Sequence, residues 1–169
     1  MLRSINMFKV LSIVVFLLAS FGTQASHVMG GEITWSCSGG NAYEFQLVFY
    51  RDCNGAEVNV ISEDIRVWNH PTLNTIQLNF VSREDISPTC TVVPGSPPML
   101  ECGSGSAAGN GVGAIERITY ISDPIIIDGS PPEAGWIFTY ENFSRSNAVS
   151  NLSNPSTFGI TLAAKTFEN

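Results

Sequence analysis

Apolar and polar residues alternate one by one through much of this chain, which is the pattern of a β-strand with one buried face. Ile33, Trp35 and Cys37 alternate with polar neighbours, and residues 38–41 (Ser-Gly-Gly-Asn) then form a turn signal. From Tyr43 to Phe49 the odd-numbered positions are strongly apolar. Together these segments predict a β-hairpin.

The same alternation recurs in five shorter segments, separated by turn signals rich in Pro, Asn and Asp. They cover residues 65–68, 76–80, 118–121, 136–140 and 158–162. After residue 25, no apolar pattern with helical spacing continues over three turns. Seven or eight short strands in one domain predict an all-β fold, an antiparallel β-sandwich of immunoglobulin-like type. We expect residues 26–169 to form this single module.

The first 25 residues have the features of a secretory signal peptide. Arg3 and Lys9 give a positive start, residues 10–21 are an apolar run, and residues 23–25 offer a small-residue cleavage site. The run is shorter than the roughly 18 residues that a membrane span requires. We therefore expect cleavage after Ala25, no transmembrane anchor in the mature chain, and an extracytoplasmic location, either secreted or on the outer cell surface.

The mature chain would be strongly acidic, with six Lys and Arg against fifteen Asp and Glu, a formal charge of −9. Such a surface repels phosphate backbones, which argues against nucleic acid as a partner. Acidity could attract divalent cations, but a solvated, soluble surface is the simpler interpretation.

Signals for catalysis, cofactors or metals are weak. His70 precedes Pro71 in an apparent turn, and no G-x-S-x-G elbow accompanies it. Residues 52–63 partly resemble a calcium loop, but Ala56 stands where a ligand side chain is needed, so a tight Asn-Gly turn is preferred. We predict no catalytic residue, no cofactor and no metal ligand.

Four cysteines, Cys37, Cys53, Cys90 and Cys102, would allow up to two disulfides in an exported chain. In the predicted hairpin, Cys53 lies about ten residues beyond the cross-strand partner of Cys37, or roughly 33 Å away, so these two should not be bonded. Cys90 and Cys102 flank a short turn-rich loop whose ends could meet. They are the preferred disulfide, and the role of Cys37 and Cys53 stays open.

Three tryptophans raise the possibility of a surface that stacks on sugar rings. Trp35 and Trp136 lie within apolar alternation, so we expect them in the core. Trp68 ends its strand beside a turn and is the better candidate for a surface ligand contact. The acid pairs at 63–64 and 84–85 could suggest glycoside hydrolysis, but adjacent residues of a strand point to opposite faces.

Several sequence words carry a family resemblance that spans almost the whole mature chain. They lie at 26–35 (SHVMGGEITW), 50–55 (YRDCNG), 88–90 (PTC), Cys102 and 135–140 (GWIFTY). The chain resembles the first module of large secreted Bacteroidetes proteins named for a gliding-motility-associated C-terminal domain. The resemblance implies an adhesin-like surface or secreted protein, exported by the Sec route and then by the type IX system.

Two departures from that family matter. The family often has two adjacent cysteines before an arginine, whereas Phe143 and Ser144 precede Arg145 here. Cysteines that would have paired there, Cys37 and Cys53 among them, could then be free. The sequence also ends at Asn169 without repeat domains or a sorting domain, as expected for the opening module of a longer protein or a truncated reading frame.

These observations favour a non-enzymatic exported module with a structural or adhesive role. Its partners would be an unidentified surface glycan or protein and the other domains of a longer chain. One alternative is a secreted glycan-active enzyme or carbohydrate-binding module. Another is a periplasmic small-ligand binder, which requires a pocket.

Overall fold

A computed structural model of the protein describes residues 28–53, 55, 57–88, 102, 114–143, 145–146 and 149–167. The predicted signal peptide lies outside these residues. The described chain forms one short 3-10 helix, Pro155–Thr157, and eight strands: β1 (Val28–Gly39), β2 (Ala42–Asp52), β3 (Ser62–Trp68), β4 (Thr75–Asp85), β5 (Ile115–Ile121), β6 (Ile125–Ile126), β7 (Trp136–Asn142) and β8 (Ile160–Thr166). In this part of the chain, no helix has the length and apolar character needed to span a membrane.

The strands form one antiparallel sheet in the order β1-β2-β5-β4-β3-β7-β8, and β6 pairs with β2 beside this path. The two end strands, β1 and β8, lie side by side. Gly31 permits this approach, because a Cβ atom there would lie 2.8 Å from Leu162 Cδ1 and 2.4 Å from the Val48 carbonyl oxygen. The sheet is therefore curled into a nearly closed barrel.

The predicted hairpin is confirmed in β1 and β2. Ile33 lies opposite Leu47 and Trp35 opposite Phe45. The chain reverses through Gly39, Gly40 and Asn41, whose φ angles are 94°, 58° and 61°. Gly and Asn adopt this left-handed conformation most readily, which explains why the turn forms here.

The other predicted segments also lie in strands, with shifted boundaries. The last one begins at Ile160 instead of residue 158, because the 3-10 helix Pro155–Thr157 occupies the chain just before it. The two-residue strand β6 was not predicted, since two residues are too short to show alternation.

The core fills the inside of the barrel with the apolar side chains of alternating positions. Its centre is aromatic: the rings of Phe45 and Phe138 have centroids 4.6 Å apart. Phe49 stacks on Tyr120 at 5.6 Å and on Tyr140 at 6.1 Å. Packing of these residues from three strands, β2, β5 and β7, against each other fixes which face of each strand points inward.

The prediction of an antiparallel all-β fold is confirmed. A sandwich requires two sheets packed face to face, whereas the described strands form one continuous hydrogen-bonded sheet. The sandwich and the immunoglobulin-like type are therefore not confirmed.

Candidate ligand-contact surface around Trp68

The alternation along β3 places two kinds of side chain on opposite faces of the sheet. Ile65 and Val67 point into the barrel and are 0% and 5% exposed. Asp64, Arg66 and Trp68 therefore occupy the outer face. Trp68 is 43% exposed, as predicted for a surface residue.

Two neighbours hold the indole of Trp68 in place. Its Nε1–H donates a hydrogen bond to Thr139 Oγ1 on β7 at 2.9 Å. The guanidinium carbon of Arg66 lies 5.2 Å from the ring centroid, within the range of a cation–π interaction. These contacts restrict the rotation of an exposed aromatic ring, which lowers the entropy that a ligand stacking on it would cost.

Beside Trp68 the outer face has a shallow depression of about 310 Å³, lined by Asp64, Arg66, Thr75, Thr139 and Glu141. Its volume is at the lower end of the range for ligand pockets. None of its three charged side chains forms an ion pair with another described residue. The depression therefore offers a cation, two carboxylates and two hydroxyls beside an exposed indole.

The two other tryptophans differ from Trp68. Trp136 is 3% exposed, which confirms its expected place in the core. Trp35 is 37% exposed and meets the edge of the Tyr43 ring at a centroid distance of 5.7 Å, so its predicted core position is wrong. Residues 34–39 of β1 are exposed because this end of the strand extends past the packed core.

Both ring nitrogens of His70 are engaged in the structure. Nδ1 accepts hydrogen bonds from the backbone amides of Leu73 at 2.8 Å and Thr72 at 3.3 Å. Nε2 lies 3.0 Å from the Asp128 carbonyl oxygen. The ring also packs on Trp136, with centroids 5.3 Å apart. These contacts give His70 a structural role in joining two loops.

The acidic residues weighed for glycoside hydrolysis are not brought together. Glu63 points inward, where burial raises its pKa, although a hydrogen bond from Tyr140 acts in the opposite direction. Asp64 points outward, so the expectation that adjacent acids face opposite ways is confirmed for this pair. Glu84 forms an ion pair with Arg117 at 2.6 Å. Glu63, Asp64 and Glu84 therefore differ in burial and in partners.

Asp85, the neighbour of Glu84, accepts hydrogen bonds from two backbone amides. Its Oδ1 accepts from the Ser87 amide at 2.9 Å and its Oδ2 from the Cys102 amide at 2.7 Å.

Among the described residues, no group of three or more His, Cys, Asp and Glu side chains could hold a metal ion. Asn54 and Ala56 of the calcium-like segment lie outside those residues.

At one end of the barrel the structure contains an ion-pair network that we did not predict. Arg51 Nε lies 2.8 Å from Glu116 Oε2, and both residues are 4% exposed. Arg83 contacts Glu116 at 3.4 Å and Glu57 at 2.5 Å, and it also donates to the Val58 carbonyl. We name these four charged residues, Arg51, Glu57, Arg83 and Glu116, the inner ion network.

A usable signal for this network was present in the strand alternation. Arg51 continues the odd-numbered inward face of Phe45, Leu47 and Phe49. Glu116 similarly precedes the buried Ile118 at an even-numbered position of β5. A charged residue on a buried face requires a partner, and an opposite charge on another strand's buried face is the natural candidate.

The predicted Cys90–Cys102 disulfide is corrected by the structure, in which Cys102 is bonded to Cys53 with a Cα separation of 5.2 Å. Cys90 lies outside the described residues. Short spacing favoured Cys90, but β5 returns the chain to the end of β2, where the Cys53 amide donates to the Ala114 carbonyl at 3.0 Å. Cys37 is free and exposed, so the prediction that it is not bonded to Cys53 is confirmed.

Comparisons of the chain with protein-family models, curated proteins and solved structures found no match. The resemblance to the Bacteroidetes module therefore stays a prediction. Among the described residues, the Trp68 surface is the most specific arrangement for contact with a ligand.

Proposed function

We propose that this protein is a non-enzymatic exported module with a structural or adhesive role in a cell-surface or secreted adhesin-like protein. In this proposal, the outer face around Trp68 contacts the ligand, a surface glycan. The observation that carries it is the exposed Trp68 ring, which is held by Thr139 and Arg66 and bordered by a depression whose charges form no ion pair with the described residues.

A glycan suits this surface for chemical reasons. The faces of sugar rings carry C–H groups that pack on an indole, whereas their edges carry hydroxyls that need donors and acceptors. The carboxylates of Asp64 and Glu141 accept hydrogen bonds, the guanidinium of Arg66 donates them, and the threonine hydroxyls do both. An exposed aromatic ring with such groups in the depression beside it can contact both the faces and the edges of the sugar rings of a glycan.

Export is supported by the signal features of residues 1–25 and by the Cys53–Cys102 bond, since disulfides persist in oxidising compartments. Membership of a longer adhesin-like protein and a Bacteroidetes origin rest on the resemblance alone. The immunoglobulin-like type of the module also stays a prediction.

The alternative functions have less support. A glycan-active enzyme would need neighbouring acids, but Glu63, Asp64 and Glu84 have three different settings. A small-ligand binder could use a depression of about 260 Å³ at the barrel end near Tyr43 and Trp136. The two depressions are similar in volume, but Trp136 is buried whereas Trp68 is exposed, so the Trp68 surface is preferred.

The proposal is tested by retention of the purified module, residues 26–169, on immobilised cell-surface polysaccharide. Trp68→Ala should reduce retention about tenfold or more, because an anchoring aromatic side chain is lost. Trp35→Ala is the matched control, since Trp35 is 37% exposed against 43% for Trp68 but lies elsewhere. Equal retention of the two variants would contradict the proposal.

A further inference from the structure

We propose that the Trp68 face selects neutral glycans, and that the carboxylates of Asp64 and Glu141 exclude acidic ones. This inference rests on the proposed function and specifies the class of ligand. It follows from the charges around the depression, which can be assigned one by one.

The local charge is negative. Asp64 and Glu141 both line the depression, and Arg66 is the one cation among its lining residues. Lys165 is the next cation on this face, opposite Ile137, which in turn lies opposite Trp68. Lys165 does not line the depression, and it lies four residues along the strands from the level of Glu141, or roughly 13 Å, which exceeds the distance at which salt screens exposed charges.

Arg66, the cation of the depression, already interacts with Trp68. The Arg66 guanidinium lies over the Trp68 ring at 5.2 Å from its centroid. To form an ion pair with Arg66, the carboxylate of a uronic acid would have to displace the guanidinium from the Trp68 ring. It would also approach the negative charges of Asp64 and Glu141. The interaction with Arg66 would then be offset by repulsion from Asp64 and Glu141.

Neutral sugar hydroxyls meet no such conflict. An ionised carboxylate only accepts hydrogen bonds, and a hydroxyl can donate to it. Thr139 Oγ1 accepts the Trp68 N–H, which leaves its own O–H able to donate to a sugar oxygen. Thr139 can therefore satisfy a neutral ring stacked on Trp68, whereas Asp64 and Glu141, four residues farther along β3 and β7, can accept hydrogen bonds from rings of the same glycan that extend over the depression.

The test uses the purified module and two hexasaccharide panels measured by calorimetry. The neutral panel contains β-1,4-glucan, β-1,3-glucan and β-1,4-mannan hexamers, and the acidic panel contains galacturonate and glucuronate hexamers. The double variant Asp64→Asn/Glu141→Gln is compared with Glu32→Gln/Glu44→Gln. Both variants lose two negative charges, but Glu32 and Glu44 border other depressions of the outer face.

We expect a neutral hexamer to bind at least tenfold more tightly than any acidic one at 0.15 M salt. Asp64→Asn/Glu141→Gln should reduce this preference about tenfold, whereas Glu32→Gln/Glu44→Gln should leave it unchanged. Equal or tighter binding of acidic hexamers would overturn the inference while the proposed function stood. An equal loss of preference in both double variants would also overturn it, since net charge alone would then decide. Binding of neither panel would instead contradict the proposed glycan function.

Discussion

Arg51 and Glu116 inside the barrel carry the same charges as Arg66 and Glu141 on its outer face, but their surroundings are opposite. The inner pair is 4% exposed at both residues, lies 2.8 Å apart and is extended by Arg83. The outer residues line an open depression and form no ion pair with the described residues. Ion pairing therefore follows burial in this protein, because a buried charge must be compensated whereas an exposed one stays hydrated and free to bind.

Strand alternation decides whether a charged residue lies in the inner ion network or on the outer face around Trp68. Arg51 follows the inward series Phe45, Leu47 and Phe49 and therefore enters the barrel. Arg66 lies between two inward residues, Ile65 and Val67, and therefore faces solvent. We accordingly expect substitutions in the inner ion network to change stability, and substitutions around Trp68 to change binding.

The largest expected effect is that of Glu116→Gln, which leaves the buried Arg51 guanidinium without its carboxylate. Breaking one partner of a buried ion pair costs about 3–5 kcal/mol, so the midpoint of urea unfolding should fall sharply. Glu141→Gln removes the same charge from the outer face and should change stability by less than about 0.5 kcal/mol. Similar midpoints for the two variants would mean that burial does not separate the two groups.

The Cys53–Cys102 disulfide should stabilise the same end of the barrel as the inner ion network, because Cys53 lies two residues after Arg51. Its sequence separation is 49 residues, for which the chain-entropy model gives about 4 kcal/mol of stabilisation. Cys53→Ser and Cys102→Ser should each lose about 2–4 kcal/mol, measured by urea unfolding without reductant. Cys37→Ser should behave as the parent, since Cys37 is free. A normal Cys102→Ser variant would refute the disulfide.

The smallest effect concerns two adjacent acids, Glu63 inside and Asp64 outside. Burial raises the pKa of Glu63 above 4.5, so the folded state binds this proton more tightly than the unfolded state. The stability that this provides is fully present below about pH 4.5 and is lost as the pH rises through the folded-state pKa. Glu63→Gln should therefore be more stable than the parent at pH 7 and equal to it below pH 4.5.

The comparison for this titration is Asp64→Asn. It removes a negative charge that helps to raise the Glu63 pKa but leaves Glu63 in place, so it should reduce the pH dependence of stability less than Glu63→Gln does. Thermal melts between pH 3.5 and 7.5 measure both variants. If Asp64→Asn flattened the profile and Glu63→Gln did not, the assignment of the two faces would be contradicted.

Local alternation predicted the strands, the hairpin and the exposed position of Trp68, because each depends on residues close in sequence. It did not predict the Cys53–Cys102 bond or the Arg51–Glu116 pair, whose partners are 49 and 65 residues apart. Both depend on β5 lying between β2 and β4, an order that turns and alternation leave undetermined.

The barrel shape and the exposure of Trp35 could not be predicted either, because both depend on contacts between distant parts of the chain. Closure depends on β1 approaching β8, and these strands lie at opposite ends of the sequence. Alternation identified the face on which Trp35 lies, but it could not show that the core ends before that part of β1. For the Trp68 surface, the sequence predicted the aromatic residue, while its neighbours Thr139 and Glu141 come from a strand whose pairing with β3 only the structure shows.

NMR of the three indole N–H groups, followed while the module is titrated with the neutral hexamers, shows whether a glycan contacts Trp68. Trp68 Nε1–H donates to Thr139 at the proposed surface, Trp136 is buried, and Trp35 lies on β1 away from it. We predict that the Trp68 signal shifts progressively with saccharide while those of Trp35 and Trp136 stay in place. A shift of Trp35 with an unchanged Trp68 signal, or no shift of any indole signal at saturating saccharide, would contradict the account.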